Sequence, residues 1–88
     1  MKYLARSPND IGHAIREARK ADKLTQKQLA ELSGTWQETI SKIENGVSST
    51  RLDTLFDLLS ALDLEIIVRN RSKGRTSDLE QLLGGPST

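Results

Sequence analysis

The chain has 88 residues, 35% hydrophobic and 3% aromatic, which suffices for one small core of Leu, Ile and Ala and is too little for a second domain or a large β-sandwich. Zero Cys and a single His exclude disulfide scaffolds, thiolate zinc sites and thiol nucleophiles, and argue against a histidine-based metal site or a Ser-His dyad. The net charge of +1 is segmented, at +3 over residues 1–24, −3 over 25–63, +3 over 64–76 and −2 over 77–88, so contact with a polyanion has to come from local clusters.

The spacing predicts four helices, one strand and a polar tail. Ser7 caps the first helix, Pro8 suits its first position, and Asp10 stands three residues after the cap. Ile11, Ile15 and Ala18 then recur at helical intervals, with Arg16, Arg19, Lys20 and Lys23 on the other side, and the helix fades near Ala21–Lys23. Arg19 or Lys23 is a candidate for partial phosphate contact, and His13 is expected at the surface or its boundary.

The second helix opens with Thr25 and Gln28 at capping-box spacing, takes Leu29, Ala30 and Leu32 as its apolar side, and stops at Gly34. The third runs from about Trp36 or Gln37 to Glu44, with Ile40 and Ile43 inward and Asn45-Gly46 as its stop. Ser48, Ser49 and Thr50 offer caps for a fourth helix, whose apolar stripe is read as Leu52, Leu55, Phe56, Leu59 and Leu62. From Leu64 to Arg69 the period changes to that of a strand, with Leu64, Ile66 and Val68 on one face. Residues 71–77 are polar, Ser77 to Leu83 can form a short helical turn, and Gly84-Gly85-Pro86 ends regular structure.

Two short helices joined by a Gly turn inside a small helical domain describe a helix-turn-helix. The residues Thr25-Gln26, Leu29-Ala30, Gly34, Ser41, Glu44 and Gly46 stand at the spacing T-Q-x-x-L-A-x-x-x-G, six positions, S-x-x-E-x-G. In this the sequence resembles the Xre, lambda-repressor-like family of DNA-binding proteins, over roughly residues 11–63. The resemblance implies a mainly α fold of four to five helices, with the third helix laid in the DNA major groove. It assigns base reading to Gln37, Glu38, Ser41 and Lys42, and phosphate contact to Gln26, with Thr25, Lys27, Thr39 and Asn45 as further candidates. Glu38 also has a local use as an acid near a helix N-terminus, and Glu44 reads as half of an intradomain ion pair. One position departs from the pattern. Where the family commonly carries Ser or Thr before the third helix, Trp36 stands here, either lying against a sugar-phosphate strand or anchoring the helix on the core.

A lone strand leaves its backbone groups unpaired, and Lys2 to Ala5 is a weak partner, so the strand is expected to pair with that of a second copy about a two-fold axis. Leu59, Leu62, Leu64, Ile66, Ile67 and Val68 are the expected dimer interface. Two recognition helices about 34 Å apart would then read a palindrome. Ser7-Pro8, the Thr50-to-Leu62 helix and Leu64-Glu65-Ile66-Ile67-Val68 after it are similar to HipB-type antitoxins. That resemblance implies repression of the chain's own operon and neutralisation of a HipA-type serine/threonine kinase toxin. The organisation expected is a DNA-binding domain over residues 1–63, a dimerising strand over 64–70 and a tail over 71–88 whose leucines could fold on a partner. A stand-alone phage-type or metabolic repressor and an interaction adaptor that has lost DNA binding are the alternatives. No enzyme constellation, cofactor or metal is expected. The apolar runs fall far short of the roughly 20 residues that span a bilayer and no signal pattern opens the chain, which sets the expectation of a soluble, cytoplasmic, nucleoid-associated protein.

Overall fold

Two helices of this protein begin on a side-chain cap, and every helix is followed by a turn with a left-handed residue. In the computed structural model, which describes residues 3–47 and 49–71, the order is α1 (Pro8–Ala21), α2 (Gln26–Ser33), α3 (Gln37–Glu44) and α4 (Leu52–Ala61). The Asp10 amide, an orphan donor of the first turn of α1, donates to Ser7 Oγ at 3.1 Å, and the Asp10 carboxylate accepts the amide of Arg6, just before the cap, at 2.8 Å. At α2 the capping box closes in both directions, Thr25 N to Gln28 Oε1 at 2.8 Å and Gln28 N to Thr25 Oγ1 at 3.0 Å.

The helix ends share one device. A residue with positive φ follows each helix: Lys23 (59°), Gly34 (74°), Gly46 (85°) and Asp63 (58°). After each helix it turns the chain so that the next amide reaches back, Leu24 N to Arg19 O at 3.0 Å, Thr35 N to Ala30 O at 3.1 Å, Val47 N to Lys42 O at 3.0 Å and Leu64 N to Leu59 O at 2.7 Å. These are Schellman closures. Glycine at two of the four positions accords with the predicted stops; Lys23 and Asp63 adopt the left-handed region because the flanking helices and back-reaching bonds outweigh its steric cost.

The core takes one fully buried side chain from each helix: Ile15, Leu29, Ile40 and Leu58. Ala18, Ala30, Ile43, Leu59 and Leu62 complete it, and Tyr3, Ile11, Leu24, Leu55 and Leu64 pack around it. Burying each large aliphatic stabilises by about 1.5–3 kcal/mol. α1 lies against α3, and α2 touches both α3 and α4. The α1–α3 crossing is close because Gly12 is buried there: a Cβ at this position would run into the carbonyl oxygen of Ile43. A Cβ at Gly46 would likewise stand 2.6 Å from Asn9 Oδ1.

Three expectations are corrected, those for Leu32, for the apolar stripe of α4 and for its cap. Leu32 is not a core residue; it is 63% exposed at the end of α2. Leu52 and Phe56 face solvent, while Leu58, outside the predicted stripe, is fully buried. α4 is apolar on more than one stripe, and its packing on α2 selects the Leu55–Leu58–Leu62 side. Thr50 is not the cap: Arg51 holds that position without a side-chain bond, and the Asp53 carboxylate turns to the Thr54 amide at 2.8 Å and to Arg51. Leu59 and Leu62, expected at a dimer interface, lie in the core of the single chain. There is no strand among the described residues; 64 to 71 carry no regular structure, and an extended segment has no ladder without a second strand. Within it Ile67 and Val68 are exposed and Ile66 is 43% exposed. Lys2, Ser48 and the tail from residue 72, with its expected turn at Ser77 to Leu83, lie outside the described residues. Among the described residues no helix is long and apolar enough to cross a membrane.

Gly12→Ala should lower the unfolding free energy by about 1–3 kcal/mol, as over-packing does in a filled interior. A denaturant midpoint that does not move would show that α1 and α3 are further apart than described.

Candidate nucleic-acid interface

α3 is amphipathic in a simple way. Ile40, Ile43 and Glu44 are buried, so the helical period turns residues 37, 38, 41 and 42 outward as one strip. Gln37, Glu38 and Lys42 are exposed and Ser41 is half-buried. The four positions expected to read bases therefore share one accessible face. Thr39 is half-buried and lines a shallow depression with Lys42, Thr50, Arg51 and Thr54. Asn45 is exposed at the far end of α3, and Thr25 and Lys27 are exposed at the start of α2.

Behind this strip stands a buried charge network. Arg19 grips Glu44 with two donors, Nε to Oε2 at 2.7 Å and Nη2 to Oε1 at 3.0 Å. Its third nitrogen, Nη1, donates to the Leu24 carbonyl at 2.8 Å. Gln26 Nε2 donates to the same Glu44 Oε1 at 3.0 Å. The side chains of Arg19 and Glu44 are only 11% and 4% exposed. The end of α1, the α1–α2 turn, the start of α2 and the end of α3 are thus tied at one point. No buried side-chain polar atom among the described residues lacks a partner, which is the condition under which a buried pair repays its desolvation.

The bonds to Glu44 hold the Arg19 guanidinium above its ordinary range, against the opposing effect of burial. The sign is that of a raised base: the stabilisation is complete below the unfolded-state value and is lost only in strong alkali. From the Arg19 side the network does not respond to pH in any range where DNA binding is measured.

Two sequence expectations change here. Arg19, read as a partial phosphate contact, is committed to Glu44, so of that pair only Lys23 is exposed. Trp36 does not anchor α3 on the core: it is 80% exposed and gives α3 no side-chain cap. Glu44 is in the intradomain ion pair expected of it. Gln26, expected on phosphate, donates one side-chain N–H to Glu44 and stands at the first position of α2. Arg51 and Thr54, which line the depression beside Lys42, are not singled out by the sequence. The run Thr50-Arg51 carried a signal, a cation beside a helix start, but only the packing of α4 brings it alongside Lys42. The pair Arg51–Asp53 is 81% and 65% exposed, so it contributes little and leaves Arg51 free to change partner.

The chain matches the helix-turn-helix family over residues 15–68. It is 32% identical over 75 residues to the antitoxin HipB of Escherichia coli, covering 85% of each protein. It is 40% identical over 65 residues to the HTH-type transcriptional regulator y4dL of Sinorhizobium fredii, of which it spans 33%. Among solved structures it is similar to a chain of a HipA-HipB-O2-O3 complex, with a TM-score of 0.72, 32% identity and coverage of 78% of this chain and 97% of that one.

Glu44→Ala should cost about 3–5 kcal/mol, because it strands the buried guanidinium. Replacing both partners, Arg19→Met with Glu44→Leu, should cost clearly less than Glu44→Ala alone. Equilibrium urea unfolding of the three proteins checks this, and a double variant as unstable as Glu44→Ala would remove the network from its organising role.

Proposed function

Because the chain belongs to the helix-turn-helix family of DNA-binding transcriptional regulators, we propose that it is the antitoxin of a HipBA-like toxin–antitoxin module. As a homodimer it represses its own operon through a palindromic operator, and it binds and neutralises a HipA-type serine/threonine kinase. The observation that carries the DNA-binding half is the outward strip Gln37, Glu38, Ser41 and Lys42, on a helix whose opposite side is fixed by the Arg19–Glu44–Gln26 network.

The chemistry of that strip suits a major groove. A glutamine can bond adenine through two atoms, a carboxylate accepts from cytosine N4, and a lysine favours guanine. Thr25, the Gln26 backbone, Lys27, Thr39 and Asn45 supply phosphate contacts that set the register. Dimerisation is supported by the segment after α4, where Ile66, Ile67 and Val68 present apolar surface with no ladder of their own. A second copy paired there, with Leu64 between segment and core, would hold two α3 helices about one DNA turn, ~34 Å, apart. The kinase enters by likeness to HipB, which is found with HipA in a solved complex, and the match to HipB extends over most of both chains.

A stand-alone repressor is the second reading, favoured by the identity to y4dL. Coexpression with the kinase-like product of a neighbouring gene separates the two: a stable complex, with the kinase inhibited, supports the antitoxin. An adaptor without DNA binding is opposed by the exposure of Gln37 and Lys42.

Footprinting and gel shifts on the DNA upstream of the chain's own gene test the reading. Gln37→Ala should lose about 1–3 kcal/mol of discrimination at one base position. Lys27→Ala should weaken all sequences alike and reduce the slope of log K against log salt by about 0.9. A wild-type protein that binds this DNA no better than unrelated duplex would refute operator recognition.

A further inference from the structure

The chain has one tryptophan, and it is not used by the fold. Trp36 is 80% exposed, more than any other large apolar side chain between residues 3 and 63. Its backbone, by contrast, is held firmly. It is the N-cap of α3 with φ −76° and ψ 143°, and its carbonyl accepts the amides of Thr39 at 3.0 Å and Ile40 at 3.2 Å. Its side chain makes no capping bond, so this position forgoes the stabilisation that Ser, Thr, Asp or Asn would give there. An indole that neither packs nor caps, on a fixed piece of backbone, is surface waiting for a partner.

We propose that Trp36 is a sequence-reading contact for duplex DNA, an apolar plate laid against a thymine methyl group at the edge of the site read by Gln37 and Glu38. This rests on the reading of α3 as the recognition helix. The contact is continuous with that strip: residue 36 immediately precedes Gln37 and Glu38, both exposed, so a duplex that meets the N-terminal end of α3 also meets the indole. The thymine methyl is the one apolar mark in the major-groove code, and it is read by apolar side chains. An indole covers about 150–250 Å² when buried and carries a single N–H donor, which can turn to a neighbouring phosphate oxygen. No positive charge is involved, so the contact adds selectivity for thymine without adding counterion release. Leu32 is also exposed, at the end of α2; a protein partner seated on Trp36 is the competing occupant.

The lone tryptophan makes the test direct. The probe is a duplex selected in vitro from a random library by the full-length protein. On saturation with this duplex, Trp36 emission should shift and its quenching by acrylamide should fall, whereas an unrelated duplex should change it less. Trp36→Ala should keep the thermal midpoint, weaken the selected duplex by about tenfold and leave the salt slope unchanged. Replacing thymine by deoxyuridine at the contacted position should weaken the wild type about fourfold, the value of one buried carbon, and leave Trp36→Ala unaffected. Full binding with acrylamide access unchanged, or Trp36→Ala binding within twofold of wild type, overturns the proposal. If that variant instead loses only a kinase partner, the indole belongs to a protein interface and the proposal is likewise overturned. A library that yields no preferred duplex refutes DNA reading by α3 as a whole, an outcome distinct from either of these.

Discussion

The ion pair between Arg19 and Glu44 is the constraint on which the orientation of α3 depends. Two charges removed from water are costly, and their attraction offsets that cost only when geometry and remaining hydrogen-bonding capacity are both satisfied. Here the contact is bidentate, the third guanidinium nitrogen has the Leu24 carbonyl, and Glu44 takes a further bond from Gln26. The four segments joined by these bonds are the ones that must agree for α3 to face outward at a fixed angle. An apolar replacement could be as stable, but it would lack the directional bonds that define one pose. The Arg19 guanidinium, its pKa raised further by its bonds to Glu44, stays charged throughout ordinary pH.

A second constraint works with the first. Gly12 lets α1 approach the backbone at the end of α3 more closely than any side chain would permit. Ile40 and Ile43 fill the space on the same side of α3. The helix is therefore clamped by backbone contact, aliphatic packing and charge, and the only face left to it is the one carrying Gln37, Glu38 and Lys42. Trp36 stands at the entrance to that face, fixed by its backbone while its ring remains in solvent.

Much of this was legible in the order of residues. Ser7, Thr25, Gly34 and Gly46 mark helix ends by chemistry that acts within a few positions, and the starts of α1 and α2 and the stops of α2 and α3 follow from them. The outward strip of α3 follows from Ile40 and Ile43 alone. What could not be read depends on contacts between distant segments. Leu52, Phe56 and Leu58 are equally apolar, and only the docking of α4 on α2 decides which is inside. Gly12 looks like a weak point in a helix until α3 is laid across it. Arg19 looks like one more cation on a basic face until Glu44 is found 25 positions later. The missing cap at Thr50 has a local cause, since Asp53 is drawn to Arg51 and the Thr54 amide. The strand expected after Leu62 concerns two chains, and its dimer role remains a proposal.

The central claim is that the buried network sets the pose from which DNA is read, beyond its effect on stability. A double-mutant cycle on Arg19→Met and Glu44→Leu, measured as the ratio of operator to non-specific affinity where all four proteins remain folded, tests it most directly. The account predicts a reduced ratio in each folded variant and a coupling between the two sites above about 0.5 kcal/mol. Variants that are folded, keep the wild-type ratio and show additive effects would contradict it.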